Sequence, residues 1–315
     1  MNSEQTIPVI DSRLKLLSNS SSGLLHSCPR KYQLTKQWKE SIWDESVDTS
    51  YGKMFGEGIQ RLLVGHSLEE AWLYAISQWN MDIDDFKKRK TFWGCLAAIK
   101  DFHSFAGRLL LSEYEAVAFK GKWSNELSFC LNLGDGFYYR GYMDIVLRHK
   151  SSGRILVVDV KTTNMNYSSP YKFQHSPQAI GYSVVLDFIA PDTNSYDVMY
   201  FEYSAELNKY FEHLFTIDFL QRAEWIKDVV VDTDLIKMYS NYSSWPKHGG
   251  YGCISFGKPC YFMDYCSMQT ENILPNKPIT MDALEYEQLT ASRPISYDFN
   301  IDLADLIERQ LEKTQ

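Results

Sequence analysis

The chain has 315 residues, 32 of them Lys or Arg and 40 Asp or Glu, for a formal charge of −8, with 44% hydrophobic and 23% charged residues. Such a chain is ample for a sizeable core, which excludes global disorder, and no apolar run approaches the ~18–20 residues needed to cross a bilayer. The acid excess excludes passive coating of nucleic acid but leaves room for a locally basic site, because nine acidic and four basic side chains fall in residues 267–315 and the rest is close to neutral.

In chain order, the cluster Ser18-Asn19-Ser20-Ser21-Ser22 before Leu24-Leu25 reads as a helix N-cap, and Cys28-Pro29-Arg30-Lys31-Tyr32 as a short basic helix. Helical periodicity covers ~53–80 and ~85–112; in the second, Phe92, Leu96, Ile99, His103, Ala106 and Leu110 form one stripe. Strands are expected at ~115–120, ~124–133, ~137–148 and ~154–162, the last two joined by the turn Lys150-Ser151-Ser152-Gly153. A helix at ~177–189, strands at ~196–204 and ~210–217 and a helix at ~218–239 follow. A Gly/Cys/aromatic loop (248–266) then leads to a Pro-punctuated tail ending in a helix near 300–313. The order predicts an α+β or mixed α/β fold. Residues 1–266 are expected to form one domain, and 267–315 a solvated acidic tail.

The start, Met1-Asn2-Ser3-Glu4-Gln5, lacks the charged and apolar regions of a secretory signal. A cytoplasmic location is therefore expected, or a host-cell cytoplasm for a viral chain. The six cysteines are accordingly expected free or metal-bound rather than paired.

The segment with most chemistry is Tyr142-Met143-Asp144, followed by Val158-Asp159-Val160-Lys161. Strand alternation points Asp159 and Lys161 the same way, and the turn folds Asp144 alongside them. Two neighbouring carboxylates repel unless a cation sits between them, and Mg²⁺ is a hard ion that takes oxygen ligands. A lysine beside it could orient water or stabilise phosphate charge. On spacing alone, a surface ion pair between Asp159 and Lys161 reads equally well.

The Asp144 … Asp159-x-Lys161 set resembles the signature of PD-(D/E)XK nucleases, in the RecB-like exonuclease branch. Gln178-Ala179-Ile180-Gly181-Tyr182 fits that branch's QxxxY motif, and Gly56-Glu57-Gly58-Ile59-Gln60 resembles its first-helix motif. The last position of that motif is often a metal-binding histidine in the family; here it is Gln60. Glu57 could supply a carboxylate ligand instead, and is expected to matter more than Gln60. Glu126 matches a glutamate often seen in the branch and is expected to support the site from outside the metal.

Cys28, Cys253, Cys260 and Cys266 match the arrangement by which four-cysteine members hold a [4Fe-4S] cluster. The Cys253-x6-Cys260 gap is longer than that family's usual spacing. Zn²⁺ would suit the same thiolates, with His248 able to replace Cys253. Cys95 and Cys130 read as core residues.

The resemblance implies a restriction-endonuclease-like fold, a central mixed sheet flanked by helices. It also implies a Mg²⁺- or Mn²⁺-dependent DNA exonuclease acting on single strands or duplex ends, in recombination, repair or phage DNA metabolism. Metal ligands would be Asp144, Asp159, the Val160 carbonyl and Glu57 or Gln60. Lys161 would act on the attacking water, and Gln178, Tyr182, Arg30 and Lys31 would contact DNA. The run Lys87-Lys88-Arg89-Lys90 reads as a solvated face. Two other readings stay open: a catalytically decayed, cluster-bearing DNA-binding protein, and a scaffold subunit docking a helicase or recombinase through its acidic tail.

Overall fold

A computed structural model describes residues 9–38, 45–83, 85, 89–190, 195–255, 258–268, 270–274, 278–291 and 294–313. Strand β1 (Leu16–Leu17) precedes helices α1 (Asn19–Ser27) and α2 (Pro29–Gln37). Helices α3 (Val47–Leu63), α4 (Leu68–Ile76), α5 (Phe92–Ser104) and α6 (Ala106–Glu113) come next. Strands β2 (Tyr114–Ala116), β3 (Ala118–Phe119), β4 (Lys122–Trp123), β5 (Asn125–Gly134), β6 (Phe137–His149) and β7 (Ile155–Thr163) follow. Helix α7 (Pro177–Ile189) leads to β8 (Tyr196–Ser204), β9 (Lys209–Ile217) and α8 (Phe219–Tyr239). The remainder holds β10 (Ile254–Ser255), β11 (Lys258–Pro259), α9 (Thr270–Ile273), α10 (Ala283–Thr290), β12 (Phe299–Asp302) and α11 (Leu303–Lys313). The chain forms two compact units, the first from residues 1–43, 128–141 and 224–315, the second from 44–127 and 142–223. Among the described residues no helix is long and apolar enough to cross a membrane.

The second unit is a mixed sheet with helices. Strand β6 is antiparallel to β2 and β7, β7 is parallel to β8, and β8 is antiparallel to β9. The turn after β6 closes as the sequence predicts: Gly153 sits at φ 72, a left-handed conformation that only glycine adopts freely. Helix α3 starts at Ser46, whose side chain accepts from Thr49 N. Its apolar stripe (Met54, Phe55, Ile59, Leu62) packs with α5 against Ile145, Leu147, Leu156, Val158 and Phe201. The contact is close: a Cβ placed on Gly58 would stand 2.5 Å from Ile99 Cδ1.

The expected long helix over ~85–112 is instead two helices, α5 and α6, broken at Phe105 (φ −128, ψ −81). A Cβ at Gly107 would stand 2.7 Å from the Phe102 ring, so glycine permits the close turn. Leu110 therefore belongs to a different helix from Phe92, Leu96, Ile99 and His103.

In the first unit the serine cluster caps α1, with Ser18 accepting from Ser21 N and Ser21 accepting from Ser18 N. The tail departs from the expected solvated appendage. Strand β12 pairs parallel with β5, Phe299 opposite Phe129, and Ala283, Phe299, Ile301, Leu303 and Leu306 are buried. Alternating apolar residues in Phe299-Asn300-Ile301-Asp302 bury one face and leave Asn300 and Asp302 outward.

Candidate active site

Strands β6 and β7 place Asp144 and Asp159 side by side, one step along the register from the Ile145–Val158 pair. Asp144 Oδ2 accepts from Val160 N at 2.7 Å, which fixes one carboxylate against the neighbouring strand. Asp159 is fully buried. Its Oδ2 lies 2.5 Å from Lys161 Nζ, and its Oδ1 accepts from Gln178 Nε2 at 3.1 Å. Gln178 also accepts from Lys161 Nζ at 3.3 Å and stands 2.5 Å from Tyr182 OH, so one helix turn of α7 closes the network. The structure thus brings Asp144, Asp159, Lys161, Gln178 and Tyr182 together.

Burial raises the Asp144 carboxyl well above the usual carboxylate range, and the charge of Asp159 adds to the shift. Burial also raises Asp159, opposed by Lys161. Burial alone would lower the Lys161 ammonium, but Asp159 and Asp144 outweigh it and hold the group above its ordinary value. Beside these carboxylates the charged ammonium is the favoured form of Lys161.

On α3 the two ligand candidates separate. Glu57 Oε1 accepts from Arg61 Nε at 2.6 Å, one turn along its own helix. Gln60 is buried and donates to Glu126 Oε1 at 2.8 Å. Gln60 Oε1 is buried with no hydrogen-bond partner among the described residues. Partial desolvation raises the Glu126 carboxyl, countered by the Gln60 bond, and its charge reaches Asp144. Glu126 also holds a left-handed backbone at φ 50, a strained conformation for a non-glycine residue.

Arg30, expected at a DNA surface, takes another place. Arg30 is fully buried in the first unit, donating to Gln33 Oε1 and Thr270 Oγ1 at 2.7 Å and to Met268 O at 3.0 Å. It is a clasp between α2 and the C-terminal segment, because a guanidinium taken out of water needs several acceptors. Tyr32 is likewise buried, stacked on Trp245. Lys31 lines a cavity of about 230 Å³ shared by Cys28, Cys253, Cys260, Cys266 and His248. The four cysteines are free thiols. Cys260 N donates to Cys253 O at 2.7 Å, and a Cβ on Gly252 would stand 3.0 Å from Ser27 O, so the loop presses on the Cys28 end of α1. Among the described residues no three His, Cys, Asp or Glu side chains are arranged to hold a metal ion. The cysteines share a cavity without forming a ligand set. Cys95 and Cys130 are buried, as expected.

Two features escaped sequence reading. Lys90, expected on a solvated face, is buried and donates to Thr162 Oγ1 at 3.0 Å, directly after Lys161, while pairing with Asp48 at 3.1 Å. Lys87 and Lys88 lie outside the described residues. Glu202, opposite Lys161 in the β7–β8 register, is buried and paired with Lys172 at 2.8 Å. Neither partner is near in sequence, so no local pattern signals either.

No curated protein matches the chain. A solved structure provisionally described as an exonuclease from Eubacterium rectale is 12% identical, covering 81% of this chain and 94% of its own, with a TM-score of 0.48. A second, SSO0001, is 14% identical, covering 69% and 86%, with a TM-score of 0.28. Residues 16–267 match the family model of the PD-(D/E)XK nuclease superfamily, over the stretch that contains both carboxylates, the lysine and the mixed sheet flanked by helices. The chain belongs to the PD-(D/E)XK nuclease superfamily.

Proposed function

We propose that the chain is a Mg²⁺- or Mn²⁺-dependent deoxyribonuclease that degrades DNA from single-stranded or duplex ends. The observation that carries this reading is the network of Asp144, Asp159, Lys161 and Gln178 at one place on the sheet. The donor set fits a hard divalent cation: two carboxylates whose desolvation a cation offsets, and the unpartnered amide oxygen of Gln60. Asp144 and Asp159 would hold the ion, with the Val160 carbonyl and Gln60 as further oxygen donors. When bound, such an ion would supply positive charge to the phosphoryl oxygens and to the ester oxygen that departs as water attacks phosphorus. The Val160 N–H fixes Asp144, and Gln178 orients both Asp159 and the Lys161 ammonium. Lys161 then donates to the water or phosphoryl oxygen as negative charge develops there.

The test uses end-labelled linear strands and a covalently closed circle of the same sequence. Linear DNA should shorten in Mg²⁺ or Mn²⁺ and stay intact in chelator, while the circle survives. Asp159→Asn and Lys161→Ala should each lose at least about a hundredfold in rate. Equal cleavage of the circle overturns the end-dependent reading, and near-normal activity of Asp159→Asn overturns the site.

The cysteine cavity supports a second element of this reading, a [4Fe-4S] cluster held by Cys28, Cys253, Cys260 and Cys266. The four free thiols line one cavity but are not arranged as a ligand set among the described residues, so a cluster would require them to close around it. Brown colour and matched iron and sulfide in anaerobically purified protein are the expected result. Zinc alone would instead assign the same cavity to Zn²⁺, with His248 available as a ligand.

A further inference from the structure

The chain that joins Lys161 to Gln178, residues 164–176, is pinned to the sheet at successive points. Ser204 Oγ donates to Met165 O at 2.6 Å. Ser168 Oγ donates to Glu202 Oε2 and lies 2.6 Å from His213 Nε2. Lys172 pairs with Glu202 Oε1 at 2.8 Å, and Phe173 is buried, stacked on Tyr200 with ring centroids 4.3 Å apart. A buried carboxylate is costly unless its oxygens are satisfied, and here the loop occupies both oxygens of Glu202. The loop backbone is therefore held in one shape.

On this pinned backbone two rings face solvent, Tyr167 at 61% and Tyr171 at 83% exposure. Among the described residues neither ring stacks on another. The same stretch avoids negative charge. Between Asp159 and Asp187 the sequence has no Asp or Glu, while Lys161, Lys172 and His175 lie within it. Acids of other elements do meet the loop, Asp48 at Asn164 and Glu202 at Ser168 and Lys172, so the acid-free run is a property of the loop's own residues.

We propose that Tyr167 and Tyr171 form a stacking platform for unpaired bases, so that the substrate delivered to Asp144, Asp159 and Lys161 is a single strand. The proposal rests on the nuclease reading of that site. Aromatic faces stack on any base, which suits a strand read without sequence preference, whereas paired bases in a duplex offer no free face along its side. The loop runs directly into Gln178, and from Tyr171 to that residue the chain spans at most about 25 Å. A platform there lies within a few nucleotides of the reacting phosphate. The Glu202 clamp holds the backbone beneath the rings before the strand arrives, so less ordering of the loop is required on binding.

The test is the anisotropy of fluorescein-labelled oligothymidylate in chelator, where binding is read without hydrolysis, beside a blunt-ended DNA hairpin. The Tyr167→Ala/Tyr171→Ala double variant should bind the oligomer at least about tenfold more weakly, and with Mg²⁺ should raise its KM far more than it lowers kcat. The Tyr167→Phe/Tyr171→Phe variant, which keeps both rings, should bind within about twofold of the wild type. Wild-type affinity in the alanine variant overturns the platform, and an equal loss on the hairpin overturns the single-strand assignment. Ring-dependent binding by a wild-type protein that hydrolyses no DNA would leave the platform standing and overturn the nuclease reading instead.

Discussion

Gln60 Nε2 donates to Glu126 Oε1 at 2.8 Å, joining helix α3 to the left-handed residue of strand β5 and leaving the Gln60 oxygen buried and unpartnered among the described residues. From this bond we propose the opposite order of importance on α3 to the one expected from the sequence. Glu57 is committed to Arg61 on its own helix, so the amide is the better placed of the two. Gln60→Ala should lower kcat/KM by about tenfold, and Glu57→Ala by less than about threefold. Gln60→His, which restores the residue type common in the family, should retain activity. Steady-state rates in Mn²⁺ on one labelled strand give the order directly.

The raised carboxyl of Asp144 makes stability depend on pH and metal. A folded pKa above the unfolded one means that the native state binds protons more tightly. The penalty for ionising Asp144 is absent below the ordinary carboxylate pKa of about 4 and grows as pH rises through the raised value. Metal-free protein should therefore lose stability over that rise, and Asp144→Asn should show a flatter profile and a higher Tm at pH 8. Mn²⁺ should raise the Tm of the wild type and leave that of Asp144→Asn nearly unchanged. Differential scanning fluorimetry across pH, with and without Mn²⁺, tests the sign.

Cys28 and Cys266 share a cavity although the chain between them is very long, so a metal held by both would close a large loop. Cys28→Ser and Cys266→Ser should each lose metal and lower the Tm. Cys95→Ala and Cys130→Ala should keep the metal, because those thiols lie apart from the cavity; burial pushes the Cys130 thiol up to about 12. Metal analysis of the four variants decides between a shared centre and a local one. Full metal retention in Cys28→Ser would confine the site to the 248–266 loop.

Arg30 provides a contrast between holding DNA and holding the fold. Three acceptors surround its guanidinium in the first unit, so Arg30→Ala should cost roughly 3 kcal/mol of stability. Oligothymidylate affinity of the still-folded variant, measured below its Tm, should match the wild type. A selective loss of affinity at unchanged Tm would return Arg30 to the DNA surface.

The hairpin that carries Asp144 and Asp159 was legible because everything it needs is local: a turn ending in Gly153, alternating faces, and Gln178 and Tyr182 one helical turn apart. Helix α7 and strand β8 were legible for the same reason, each a single unbroken pattern. What was hidden depends on partners far along the chain. Arg30 reads as a surface cation until Thr270 and Met268 are seen around it, and Lys90 as a solvated one until Thr162 is. The tail reads as acidic solvent filler because Phe129, which pairs with Phe299, lies 170 positions away from it in register terms shared by Ser128 and Asp298. The break at Phe105 is hidden in the sequence because the apolar spacing continues through it, while the close approach of Gly107 to Phe102 involves a residue with no side chain to signal it.

The absence of a side chain at Gly58 ties the site to the packing of the core. Its nearest neighbour across the helix pair is Ile99, and Gln60 stands two residues further along the same helix. A Cβ at 58 would meet Ile99 Cδ1 at 2.5 Å and Cγ1 at 2.9 Å, so either the Ile99 side chain moves or the two helices separate. A larger residue at 58 is therefore accommodated most easily beside a smaller one at 99, and Gly58 bears on the placement of Gln60 without touching it.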